Sequence, residues 1–107
     1  MMVIFNKLVR DKIPQIIEGN GEICEFAVLD SETFAVELRK KLQEEVTEYL
    51  TSTNDENAIE ELADILEVVH SLAKTHHVSM ADIEKIRRKK LEVRGGFDRK
   101  YFLISKK

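Results

Sequence analysis

Apolar positions fall into helical rows separated by short polar breaks. Phe34, Leu38, Leu42, Val46 and Tyr49 recur every three or four residues, which predicts a long amphipathic helix begun by Asp30 or Ser31. A second long helix is predicted over Asp55 to His76, where Ile59, Leu62, Ile65, Leu66, Val68, Val69, Leu72 and Ala73 form an arc wide enough to need contact on more than one side. Thr53 and Glu56 have capping-box spacing before it. A third helix, from Met80 to about Val93, is announced by Ser79 with Asp82 and ended by Gly95-Gly96. Near the N-terminus Asp11 can cap a short helix whose first turn tolerates Pro14 and which Gly19 can stop. Ile23 to Leu29 and Tyr101 to Ile104 read as extended segments, the second as a strand or an arm. The expected fold is therefore all-α, a single domain over residues 1–107 with two long antiparallel helices and at most a minor strand pair.

The polar residues matter where they break this pattern. Glu45 and Glu48 lie three apart on the first long helix, and Glu61 and Asp64 three apart on the second. With Leu42 at the centre of its stripe, Glu45 falls about 60° away and Glu48 about 120°. Glu45 thus stands on the shoulder of the core face, and Glu61 lies in line with Ile65, Val68 and Leu72. If the two helices bring these groups together, carboxylates ~4 Å apart repel by about 4 kcal/mol even at an effective dielectric of 20. A cation should then be present, and carboxylate oxygens with room for water suit Mg²⁺ acting on phosphates.

Composition narrows the classes. The 107 residues carry 17 Lys plus Arg against 20 Asp plus Glu, a net charge of −3, which argues against binding nucleic acid through bulk charge. One cysteine, Cys24, cannot form an internal disulfide and suits a reducing compartment. Neither a bilayer-spanning apolar run nor a signal-peptide order is found, so no membrane association and a cytoplasmic location are expected. So short a chain buries a modest core, a shortage that self-association would relieve.

Glu44-Glu45-x-x-Glu48, twelve residues, then Glu61-x-x-Asp64 resembles the metal-binding signature of the all-α nucleoside triphosphate pyrophosphohydrolases, which include MazG-like proteins, dimeric dUTPases and phosphoribosyl-ATP pyrophosphatases. The opening Asn6-Lys7-Leu8-Val9-Arg10-Asp11-Lys12-Ile13-Pro14 and the later Arg94-Gly95-Gly96-Phe97 resemble a small single-domain branch described as phosphoribosyl-ATP pyrophosphohydrolase-like. The resemblance implies a Mg²⁺-dependent enzyme, with Mn²⁺ as a substitute, that cuts a nucleoside triphosphate between its α and β phosphates to give a monophosphate and pyrophosphate. It implies Glu45, Glu48, Glu61 and Asp64 as metal ligands, Glu44 as a nearby catalytic helper, and a homo-oligomer of two or four chains. It also favours Lys89 and Arg94 for phosphate binding, with Lys7 and Arg10 as further candidates; spacing cannot choose among the cations. Phosphoribosyl-ATP pyrophosphatase activity in histidine synthesis is the alternative within enzymes.

A different class stays open. The basic run Lys85 to Arg94 could serve a non-catalytic interaction or nucleic-acid-binding module, or be a solvated face paired with Glu84 and Glu92. His76 and His77 point about 100° apart on a helix and read as helix-end or surface residues, and Cys24 as a buried structural thiol. Phe97, Tyr101 and Phe102 could stack a base or seal a contact.

Overall fold

Capping chemistry decides where the helices begin. In the computed structural model, which describes residues 2–107, they are α1 (Ile13–Gly19), α2 (Ser31–Thr51), α3 (Asp55–Thr75) and α4 (Met80–Arg94). Asp30 caps α2 by accepting a 2.7 Å hydrogen bond from the Thr33 amide. Ser79 and Asp82 close a reciprocal capping box at α4, which ends at Gly95 in the left-handed region with φ 81°. Two expected caps lie one residue away. Asn54, not Thr53, accepts from the Asn57 amide at 2.8 Å, because a short amide side chain in extended backbone reaches the third helical amide as well as a hydroxyl does. At α1 the N-cap is Lys12 rather than Asp11, with no side-chain cap; a backbone turn from the Ile13 amide to the Arg10 carbonyl takes that place.

No strand forms among the described residues, which corrects the expected strand pair. Residues 23–29 and 101–104 are extended in character but lie beside no ladder partner, and Ile23, Val28, Phe102 and Ile104 project into solvent. Apolar character alone cannot make a strand whose backbone groups have nothing to pair with.

The principal packing is between α2 and α3, each of 21 residues and joined by residues 52–54. α4 meets α3 only slightly, and α1 packs on none of the other helices. The buried apolar side chains among the described residues are Leu38 on α2 and Val68 and Ala73 on α3. The chain is consequently spread out. Its radius of gyration is 18.2 Å, whereas a compact domain of this length would have about 13 Å. None of the helices among the described residues is long and apolar enough to cross a membrane.

Candidate functional site

Heptad spacing explains why charge enters the helix pair. Glu45 lies seven residues beyond Leu38 on α2, and Glu61 lies seven before Val68 on α3. Seven residues come within about 20° of two full turns, so each carboxylate occupies the row of a core residue. Glu45 is only 6% exposed. Around it, Glu44, Glu45 and Glu48 form one group and Glu45, Glu61 and Asp64 another, with carboxylate oxygens inside each group within 4.8 Å of one another. Glu45 belongs to both, while Glu48 stays exposed at the edge.

The carboxylates are under-satisfied. Neither Oε2 of Glu45 nor Oε2 of Glu61 is met by a donor, although both atoms are buried. A buried acceptor left without a partner costs about 1–3 kcal/mol, more when charged. One remedy without an added cation is a proton held between the two glutamates. Accordingly the Glu61 carboxyl is pushed up to about 7, first by that shared hydrogen bond with Glu45, then by burial and by Glu48. The other would be a divalent cation in place of the proton, held by Glu45, Glu61 and Asp64.

Three cations of the chain itself border the cluster. Lys41, one turn before Glu44 and Glu45, is 3.4 Å from the first and 3.5 Å from the second. Lys7 reaches Glu44 at 3.3 Å, and the Arg10 guanidinium donates to Asp64 Oδ1 at 2.6 Å. These last two bonds lay residues 7–10 across the helix pair. Beneath them is a cavity of about 140 Å³, with Leu8, Phe34, Leu38 and Val68 as apolar lining and Arg10, Lys41, Glu45 and Asp64 as charged lining. The arrangement pairs an apolar recess with a cluster of carboxylates.

The structure thus brings Glu44, Glu45, Glu48, Glu61, Asp64, Lys7 and Arg10 into one region. Glu44, which the resemblance implies as a nearby catalytic helper, is flanked by two ammonium groups. Lys89 and Arg94 are exposed on α4 and bonded to none of these carboxylates. Lys41 went unnoticed in the sequence, although its spacing of three and four residues from Glu44 and Glu45 was a usable signal. Arg87 and Arg88 of α4 pair locally with Glu84. Arg87 donates to Glu84 from Nε at 2.8 Å, and this grip, reinforced by Arg88, lowers the Glu84 carboxyl to about 2. Cys24 is half-buried, its Sγ 3.8 Å from the Pro14 carbonyl, and burial followed by Glu18 raises its pKa. No protein-family model, curated protein or solved structure matches the chain.

Proposed function

We propose that the protein is a Mg²⁺-dependent nucleoside triphosphate pyrophosphohydrolase of the all-α, MazG-like type, acting as a cytoplasmic homo-oligomer with α2 and α3 as its two long antiparallel helices. The observation that carries this reading is the pair of buried, donorless oxygens on Glu45 and Glu61, beside Asp64 and at the mouth of a mixed apolar and charged cavity. Solvated surface carboxylates have no such atoms. The donor set, all carboxylate oxygens, fits a hard divalent cation held by Glu45, Glu61 and Asp64 with Glu48 at the edge. Bound there, Mg²⁺ or Mn²⁺ would supply charge neutralisation at phosphate oxygens and a water acidic enough to lose a proton near neutral pH.

The chain's own groups do the rest in this reading. Arg10 and Lys7 turn from the carboxylates to the substrate phosphates, Arg as a two-pronged donor and Lys as a point charge. Glu44, next to the ligand cluster, accepts the proton of the attacking water, and Lys41 holds the Glu44 and Glu45 side chains in place. The apolar lining at Leu8 and Phe34 shelters part of the base or sugar. Lys89 and Arg94 join the phosphate contacts only if α4, or α4 of another subunit, closes over the cluster.

The test is pyrophosphate release from ribo-, deoxy- and modified nucleoside triphosphates and from phosphoribosyl-ATP, with Mg²⁺ and with chelator. Monophosphate and pyrophosphate in equal amounts, lost on chelation, are expected. Cleavage confined to phosphoribosyl-ATP would transfer the protein to histidine synthesis. An intact panel with folded, Mg²⁺-supplemented protein would overturn the enzymatic reading in favour of a binding module, for which salt-sensitive, Mg²⁺-independent binding through α4 is the signature.

A further inference from the structure

α3 has a second apolar face. Ile59, Leu62 and Leu66 fall within roughly 60° of one another and about 130° round the helix from the side that meets α2. They are 65%, 45% and 57% exposed. A row of exposed carboxylates, Glu56, Glu60 and Glu67, adjoins Ile59 and is centred about 110° round from the apolar row, and the whole helix carries six carboxylates against Lys74 alone. The exposed side of α3 therefore carries an apolar face and an adjoining anionic one.

The segment Phe97–Lys107 has the complementary character. Phe97, Tyr101, Phe102, Leu103 and Ile104 are all more than four-fifths exposed, and Arg99, Lys100, Lys106 and Lys107 outnumber the single Asp98. Extended at about 3.3 Å per residue, its 11 residues reach roughly 36 Å. The row from Ile59 to Leu66 needs only about 10 Å. The segment does not cover its own α3, since α4 leaves α3 soon after the turn between them and carries the segment away.

The total area points to what is missing. The chain exposes 10240 Å², whereas a compact monomer of its mass would expose about 6,100 Å². The excess is several times the ~800 Å² per partner of an ordinary stable interface. An apolar face with an adjoining anionic one and an apolar cationic arm on one chain can satisfy each other twice across a two-fold axis.

We infer that the arm Phe97–Lys107 of one copy lies on the Ile59–Leu62–Leu66 face of α3 of a second copy, forming an arm-exchanged dimer. The inference rests on the homo-oligomer reading and adds its contact. It is tested by sedimentation of the full-length chain and two charge-reversed full-length variants, Glu60→Lys with Glu67→Lys, and Lys106→Glu with Lys107→Glu. Wild type should sediment as a dimer, each variant should dissociate at least tenfold more readily at low salt, and an equimolar mixture of the two, in which both arms of a mixed dimer meet faces of opposite charge, should associate more tightly than either alone. Helical circular dichroism should be unchanged throughout. A monomeric wild type would overturn the oligomer and the arm exchange together. A dimeric wild type whose variants remain equally dimeric, or whose mixture gains nothing, would overturn the arm exchange and leave the oligomer standing.

Discussion

The α2–α3 pair and the segment beyond α4 break the ordinary rule of burial in opposite directions. Between α2 and α3, charge occupies positions that heptad spacing assigns to the core, and Glu45 and Glu61 carry buried oxygens without donors. Beyond α4, Tyr101 to Ile104 stand in water although their chemistry suits an interior. Both departures are costly in the isolated chain. The first is relieved by something small and cationic, the second by something large and apolar. The unpartnered charge and the unpartnered apolar surface are thus separated along the sequence, the first before residue 70 and the second chiefly after residue 96.

This comparison can be broken or sharpened by measurement. The largest effect belongs to the carboxylates. Glu45→Gln or Glu61→Gln, shape-preserving but poorer at holding a cation, should reduce triphosphate cleavage by roughly 10²- to 10³-fold, several kcal/mol of transition-state stabilisation. Equal losses on replacing Phe102 with Ala at protein concentrations that keep the chain associated would erase the distinction between the two regions.

Next comes the core. Leu38→Ala should lower unfolding stability by about 2–5 kcal/mol in urea titration. Leu103→Ala, examined at high dilution where the chain is dissociated, should move it by no more than about 0.5 kcal/mol.

The pH response of stability is smaller and has a definite sign. Glu61 titrates at about 7 in the folded chain against an ordinary value of 4.5. The folded state therefore holds this proton more tightly than the unfolded state, so its contribution is complete below about pH 4.5 and is lost as pH rises through 7. Thermal unfolding of metal-free protein should show stability falling across that window, flattened in Glu61→Gln. Added Mg²⁺ should restore stability most at the alkaline end, where it no longer displaces a proton. A metal-free profile that rises across the same window would remove the shared-proton account.

The smallest expected effect is that of Arg10→Ala. Its exposed ion pair with Asp64 should be worth about 0.2–1 kcal/mol, yet Mg²⁺ binding followed by calorimetry should tighten because a competitor at Asp64 is gone. Weaker Mg²⁺ binding would instead make Arg10 a support of the cation site.

The parts legible in sequence are those decided locally. Helix spans follow from three- and four-residue spacing, and Asp30, Ser79 and Asp82 cap where expected because capping involves residues three apart. The position of Glu45 and Glu61 near burial was readable for the same reason. The apolar segments 23–29 and 101–104 form no strand, the second remaining an arm, because a strand is completed by a distant partner that composition does not supply. The crossing of residues 7–10 over the helix pair was equally hidden. Its closest bond joins residues 54 apart, and nothing in the spacing of Arg10 names Asp64 as its partner.

The bonds from Lys7 and Arg10 also mean that the acidic cleft owns its counterions. A sodium or potassium ion leaving such a cleft is lost to bulk solution, but these two cations are covalently attached and remain nearby at an effective concentration on the order of millimolar. Incoming ions therefore meet resident competitors rather than an open anionic trap. Weakly held monovalent ions gain little from the exchange. A divalent ion able to grip several oxygens at once would have to displace the guanidinium, so under the proposed function the tether would set a threshold for admission to the cleft.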